Sequence, residues 1–334
     1  MRSMPAAHDE ATTDEPGTFR RSVRAARLVR HGSPLEVRPV TLADPAPDEL
    51  VVEMAFAGVN PVDRYGAIGT VAADAAVPRT LGMEGVGRAD GRWMVMHGYG
   101  LGTARDGLWA EAAVVPRAAC VDVPDGVTPR RAAALGIAGA TAYRTVTELG
   151  RVTAEDRVLV LGASGGVGSV IVSLVHGIGA RVWGQTGHEG KSDFIESNGA
   201  ERVVVADAGT LAAGVAALRP TVVFDALGDG FTGGAIEALE PYGRLVLYGT
   251  SADGEGRVPL RALYRKGLSV MGYAGLIEPD DAVRRGIEGA LAALRDGKMS
   301  VTIDAVLALE DVNEAFGRLE RREVSGKLVL ALGA

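Results

Sequence analysis

The sequence predicts a two-domain chain, a β-rich lobe followed by a parallel, doubly wound α/β sheet. Three observations carry that prediction. The chain has 334 residues, more than a single hydrophobic core usually serves. From Val23 to about Val123 the apolar stretches are short, strand-like and punctuated by Gly and Pro, which is the texture of an all-β lobe. Between Asp156 and about Met271, apolar strands alternate with helical stretches, the rhythm of a parallel sheet joined by crossover helices.

Taken in order, residues 1–21 lack an apolar signal-peptide core, and Asp9, Glu10, Asp14 and Glu15 oppose a mitochondrial transit segment. This stretch reads as a disordered tail, with Met4 or a later residue as an alternative start. The first lobe should hold strands at Val23–Val29, Leu35–Val37, Glu49–Met54, Arg92–Met96 and Ala110–Val115. A helical run begins at Pro129, where Thr128 is placed to cap it. The second lobe follows as Val158–Leu161, a helix from Gly166, Arg181–Gly184, a helix through Phe194, Val203–Val205, Val222–Phe224 and Leu245–Tyr248. After Pro279, a helix through Leu294 and a final strand at Lys327 are too little for a third domain and should return to the first. The predicted division is 22–145 with 279–334 for the β-rich domain, and 146–278 for the α/β domain.

Composition narrows the function. Hydrophobic residues make up 47% and charged residues 23%, enough for sizeable cores under a soluble surface. The 46 glycines follow no collagen-like period, so they mark tight turns and close backbone approaches. A net charge of −7 offers no electrostatic footing for nucleic acid or anionic membrane, and a small-molecule substrate is the expected partner. The most apolar stretch, Val158 to Val175, is broken by glycines and serines and reads as strand, turn and helix, not as a membrane span. Cys120 is the only cysteine, which excludes an intrachain disulfide and a multi-thiolate zinc site and predicts a reducing, cytoplasmic setting.

The sharpest motif runs from Val158 through Gly162-Ala163-Ser164-Gly165-Gly166-Val167-Gly168. A strand here enters a Gly-rich turn that opens a helix, so backbone N–H groups of the turn can cradle a pyrophosphate. Gly165 and Gly168 fill the second and third glycine positions of the dinucleotide fingerprint, and Ala163 replaces the first. In isolation this string is also an ordinary Gly-rich turn; the flanking strand and helix favour the cofactor. NAD enzymes usually place an acid at the end of the second strand. Here Val182-Trp-Gly-Gln-Thr186 has none, while His188 and Lys191 follow closely. Lys191 as a point charge, with Thr186 or His188 as hydrogen-bond partners, suits a 2′-phosphate and predicts NADPH. Glu189 runs against this, and a solvated surface residue is the plainer reading of Lys191 taken alone.

Eight strings then fall in a specific order: Gly58-Val-Asn-Pro-Val-Asp63, Leu81-Gly-Met-Glu-Gly85, Ala110-Glu-Ala-Ala-Val-Val-Pro116, Gly139-Ala-Thr-Ala-Tyr143, Gly162 to Gly168, Phe224-Asp-Ala-Leu-Gly228, Gly243-Arg-Leu-Val-Leu247 and Gly326-Lys-Leu-Val-Leu330. Together they resemble the quinone oxidoreductases of the medium-chain dehydrogenase/reductase superfamily, over about residues 22–334. The resemblance implies a GroES-like β-rich catalytic domain, a Rossmann domain and an active site in the cleft between them. It places Asn60, Asp63 and Tyr65 at the nicotinamide and substrate cleft and Thr141 by the nicotinamide. It places Leu227, Tyr248, Gly249 and Thr250 at strand ends near the cofactor, and Lys327 over the phosphates. It also implies a homodimer built through the Rossmann sheets, with Leu268-Ser-Val-Met-Gly272 as the candidate edge. Asn60 before Pro61 is equally a good turn residue, Asp63 a loop tie and Lys327 a surface residue.

Zinc alcohol dehydrogenases of this superfamily carry a cysteine at the position of Asn60 and His-Glu at the position of Met83-Glu84, so the resemblance implies no metal here. Without that Lewis acid, reduction of an already electrophilic acceptor is favoured over alcohol oxidation. The expected activity is an NADPH-dependent, zinc-independent reduction of quinones or α,β-unsaturated carbonyl compounds by direct hydride transfer. The alternatives are an enoyl- or acrylyl-thioester reductase and a non-catalytic NADPH-binding sensor. Enoyl-thioester reductases of the superfamily carry a catalytic tyrosine where this chain has Val71. Two further departures concern the cleft rim: the family's strand and turn between Gly87 and Arg92 read as largely missing, and Gly98 to Gly107 replaces a simpler loop. In and beside that loop Arg105 reads as a solvated residue and His97 as a structural one, ahead of contact with an anionic or thioester-linked substrate.

Overall fold

The computed structural model describes residues 21–333; of the tail expected over 1–21, all but Arg21 lies outside the described residues. The β-rich lobe opens with β1 (Ser22–Leu28), β2 (Glu36–Thr41) and β3 (Glu49–Val59), followed by α1 (Pro61–Ile68). It continues through β4 (Arg79–Thr80), β5 (Glu84–Ala89), β6 (Arg92–His97), β7 (Ala112–Pro116) and β8 (Cys120–Asp122). β1 pairs antiparallel with both β2 and β4 in a small sheet of its own. β3 is the spine of the larger sheet, antiparallel to β5 and β7. The segment between Gly87 and Arg92 corrects the expectation of a missing strand. β5 is complete to Ala89, and Ala89 pairs with Arg92, so Asp90 and Gly91 alone make the turn. Both have positive φ, 50° and 78°, the backbone twist that a two-residue hairpin requires.

Short helices α2 (Pro129–Ala132) and α3 (Ala138–Arg144) lead into the second lobe. Thr128 caps α2, its side chain accepting from the Arg131 N–H. The second lobe then alternates β9 (Arg157–Val160), α4 (Gly166–Ile178), β10 (Arg181–Thr186), α5 (Ser192–Ser197), β11 (Arg202–Val205) and α6 (Leu211–Gly214). It ends with β12 (Val222–Asp225), α7 (Asp229–Ala238), β13 (Arg244–Leu247), α8 (Leu260–Arg265) and β14 (Ser269–Gly272). All pairs are parallel and the spatial order is β11-β10-β9-β12-β13-β14. The order reverses between β9 and β12, which is where open α/β sheets bind dinucleotides. Val158, Leu159, Val160, Val222, Val223 and Phe224 on the central strands are fully buried, as a parallel sheet covered on both faces demands.

The chain returns through α9 (Asp280–Arg295), β15 (Ile303–Ala308), α10 (Val312–Glu320) and β16 (Lys327–Ala331). β16 pairs antiparallel with β3 and parallel with β15, completing the large β-lobe sheet. α9 itself packs against α3, and α3 against α4. One hydrophobic cluster runs through Leu135, Ala140, Val170, Ile171, Ile287 and Leu291. The boundaries expected at 145/146 and 278/279 therefore cut through a continuous packed layer of helices. A second cluster under the β lobe gathers Leu28, Met54, Leu81, Met96, Trp109 and Leu330. No helix among the described residues is long and apolar enough to cross a membrane.

Candidate functional site

The Gly-rich turn lies at the carboxyl end of β9, on the switch point of the sheet. Gly162 takes φ +65°, a left-handed conformation in which a side chain would be strained. A methyl group on Gly168 would overlap the Gly162 carbonyl, so α4 presses its first turn directly onto the loop. The N-cap, Gly165, offers no side chain to the helix N–H groups, which leaves the first-turn donors free for an anion. The loop is held from behind: Ala163 N–H donates to the Gln185 carbonyl at 3.0 Å, Gly162 N–H to Gln185 Oε1 at 3.1 Å, and Gly326 N–H to the Ser164 carbonyl at 2.9 Å.

The other residues expected at the cofactor gather around this turn from separate strands. Asp225 ends β12 and accepts from the Leu227 N–H at 2.7 Å and from Thr232 Oγ1 at 2.6 Å, which fixes the backbone around Leu227. Tyr248 N–H donates to the Asp225 carbonyl at 2.8 Å, and a methyl on Gly249 would stand 3.0 Å from the Ala226 carbonyl, so Tyr248, Gly249 and Thr250 pack closely behind β12. The Tyr248 hydroxyl is buried without a partner, and burial pushes its ionisation above the ordinary range. The uncapped helix start and a glycine turn with no room for side chains fit the pyrophosphate of a dinucleotide. Thr141 is buried on α3. At the end of β10, Thr186 Oγ1 accepts from the His188 N–H at 3.2 Å. Lys191 donates to the carbonyls of Arg322 and Val324 at 2.8 and 2.9 Å. Two of its three protons thus hold the loop before β16, which differs from the free point charge expected for a 2′-phosphate.

A buried polar cluster lies at the start of α1, within the β-rich lobe. Pro61 occupies the first helical turn and Asp63 closes the helix start by accepting from the Asn60 N–H at 2.9 Å, a pairing that satisfies an otherwise orphaned donor. The other carboxylate oxygen of Asp63 accepts from the Met83 N–H at 3.0 Å. Asn60 Nδ2 donates to Glu84 Oε1 at 2.7 Å, and the Ile137 N–H donates to Glu84 Oε2 at 2.6 Å. Lys327 Nζ donates to Glu84 Oε1 at 2.8 Å and also to Asn60 Oδ1. Lys327, expected over the phosphates, instead sends its ammonium into this cluster. Its stem lies against the dinucleotide loop, where a methyl on Gly166 would meet Lys327 Cδ at 2.8 Å.

The electrostatics follow from burial and pairing. Burial raises Asp63 to about 7, and the nearby Glu84 charge adds to the rise, against the hydrogen bonds from Asn60. Burial pushes Glu84 the same way, but the Lys327 ammonium and the donors around it outweigh that and hold it below the ordinary carboxylate range. Glu84 is therefore the charged partner and Asp63 the one that titrates near neutrality. Tyr65 stands apart: it is 37% exposed on α1. Glu84 was visible in the sequence only as the companion of Met83 in a lost metal motif. Its neighbours Gly58 and Gly136 supplied a further signal, since side chains there would overlap its carboxylate or crowd its stem.

The comparisons agree with this geometry. The family model described as zinc-binding dehydrogenase matches residues 166–285, which span α4 to the first third of α9. Quinone oxidoreductase-like protein 2 of Bos taurus is 28% identical over 331 residues, covering 93% of each chain. Among solved structures, a NAD-dependent alcohol dehydrogenase superposes with a TM-score of 0.84 at 26% identity, over 93% of this chain and all of that one. AibC superposes with a TM-score of 0.85 at 24% identity, over 95% and 97% of the two chains, a likeness of fold. Relatives of this kind match the chain across both lobes and support an oxidoreductase: the chain is similar to quinone oxidoreductase-like and alcohol dehydrogenase proteins of the medium-chain dehydrogenase/reductase superfamily.

Proposed function

We propose that the protein is an NADPH-dependent, zinc-independent reductase of quinones or α,β-unsaturated carbonyl compounds. The observation that carries this reading is the Lys327–Glu84–Asn60 cluster at the start of α1. Where zinc relatives present a thiolate and an imidazole, this chain has an amide and a thioether, neither of which suits Zn²⁺. The one carboxylate between them already holds an ammonium, so a dication would enter beside a fixed positive charge in a buried site. These residues do not fit zinc.

The dinucleotide turn, the uncapped start of α4 and the Tyr248 hydroxyl are the groups that would hold the cofactor, which supplies a hydride when bound. The protein contributes position. Lys327 braces Gly166 and, through Glu84 and Asn60, the start of α1, so the phosphate loop and the acceptor side of the cleft share one rigid support. Lys191 keeps one proton free for a 2′-phosphate, with His188 and Thr186 beside it. Purified protein titrated with NADPH and NADH by fluorescence, then assayed with 1,4-benzoquinone, a simple enone and crotonyl-CoA with and without a chelator, tests the reading. Chelator-insensitive NADPH oxidation, with NADPH binding weakened about tenfold by Lys191→Ala, is expected. NADH preference or chelator inhibition contradicts the reading, and tight NADPH binding without turnover favours the sensor alternative.

A further inference from the structure

A cavity of about 110 Å³ opens beside the buried cluster, between the end of β6 with its glycine loop and the segment leading into α9. His97, Tyr99 and Thr103 line one wall, and Leu276, Glu278 and Asp280 line the other. His97 is fixed at one end only. Its Nδ1 lies 2.8 Å from the Met83 carbonyl, and because a carbonyl oxygen only accepts, Nδ1 carries the proton. The remaining nitrogen, Nε2, is then a bare lone pair. Among the described residues it makes no hydrogen bond, yet it is absent from the buried atoms that lack partners, so it is open to the cavity or to solvent. Burial lowers the affinity of His97 for a second proton, which keeps the ring neutral.

Apart from the Tyr99 hydroxyl, which can donate or accept, the other polar side chains of the cavity are acceptors or already engaged. Glu278 is paired with Arg144, Asp280 Oδ1 accepts from the Tyr99 N–H at 3.0 Å, and Thr103 Oγ1 donates to the Gly100 carbonyl at 3.1 Å. A ligand group placed beside His97 Nε2 meets a lone pair, with the carboxylates of Glu278 and Asp280 on the facing wall. We propose that this cavity receives a substituent of the electrophilic acceptor that carries an O–H or N–H donor, and that His97 Nε2 accepts its hydrogen bond, so that His97 is a specificity-determining residue. The inference rests on the reductase reading above and names its preferred acceptors: uncharged quinones or enones with a hydroxyl-type donor near the reacting ring, ahead of apolar or anionic ones. A site that pairs with a donor favours it over the isostere lacking it by about the worth of one neutral hydrogen bond.

The test is a ratio measured within each enzyme: kcat/KM for 2-(hydroxymethyl)-1,4-benzoquinone over kcat/KM for 2-ethyl-1,4-benzoquinone, with NADPH saturating. The wild type should favour the hydroxymethyl compound by about threefold to tenfold, the worth of one neutral hydrogen bond. His97→Phe should bring the ratio to about one, and His97→Gln, which returns an acceptor near the Nε2 position, should restore part of the preference. A wild-type ratio near one overturns the proposal without any variant, and an unchanged ratio in a folded His97→Phe protein overturns the role of His97. Turnover of 1,4-benzoquinone with no preference in the pair sinks this inference alone, whereas no turnover of any quinone or enone sinks the reductase reading and this inference with it.

Discussion

Lys327 and Glu84 are an ion pair with side chains 2% and 0% exposed, and the physics of such pairs is asymmetric. Desolvating both charges offsets much of their attraction, but removing one partner strands the other in a medium that cannot solvate it. Lys327→Met should therefore cost about 3–5 kcal/mol in urea unfolding, and adding Glu84→Gln to it should recover a large part of that loss. Asp63 behaves in the opposite sense to a salt-bridged acid. Its folded value, raised to about 7, lies above the ordinary unfolded value of about 4, so the fold favours the protonated form. That contribution is fully present below the unfolded value and is lost as pH rises through the folded one. The Tm of the wild type should therefore fall relative to that of Asp63→Asn, whose amide stays neutral, as pH is raised from the acid end of this range towards neutrality. A difference in Tm that stays flat across the range contradicts the raised value. At this scale the sequence showed Asn60 and Asp63, which are local to one helix start, but not their partners. Lys327 and Glu84 stand 243 positions apart, and no local pattern joins them.

The elements most legible in sequence are those whose local chemistry and tertiary role agree. The β9–turn–α4 unit is one, because the glycines at its tightest points answer steric needs of their own loop. Gly168→Ala should overpack that turn at a cost of roughly 1–3 kcal/mol, and weaken NADPH binding at least about tenfold, or 1.4 kcal/mol, by thermal melting and fluorescence titration respectively. A variant that binds NADPH normally contradicts the close approach of α4 to Gly162. β5 shows the reverse case. Glu84-Gly-Val-Gly-Arg-Ala89 has little β propensity on its own, and its glycines are explained only by neighbours: methyls at Gly85 and Gly87 would overlap Met54, or Val52 and the Glu53 backbone. The strand exists because β3 and β6 close around it, so a reading without tertiary contacts took its end for a gap.

At the level of the whole molecule, the parallel sheet ends on β14, whose outer edge has no partner strand among the described residues. Val270 on that strand is 43% exposed, and Leu260, Tyr264 and Ile277 on the flanking segments are exposed as well. An apolar, unprotected edge invites pairing. We therefore expect a homodimer by light scattering coupled to size exclusion, and Val270→Lys should shift it towards monomer. A wild-type monomer at micromolar concentration contradicts the expected association.

The layout of the chain was legible from its residues: a β-rich lobe, a Gly-rich turn where strand meets helix, and a chain end that returns to the first lobe. These follow from periodicity, Gly placement and capping, which act over a few residues and need no knowledge of distant neighbours. Where the long side chains finish was settled only by packing in three dimensions. Lys327 leaves the phosphates for Glu84, Lys191 spends two protons on the carbonyls before β16, and His97 turns one nitrogen to Met83 and leaves the other unpaired. The reason is that a flexible charged or aromatic side chain goes wherever burial, partners and free volume place it. Those are properties of packed elements and not of the residues on either side.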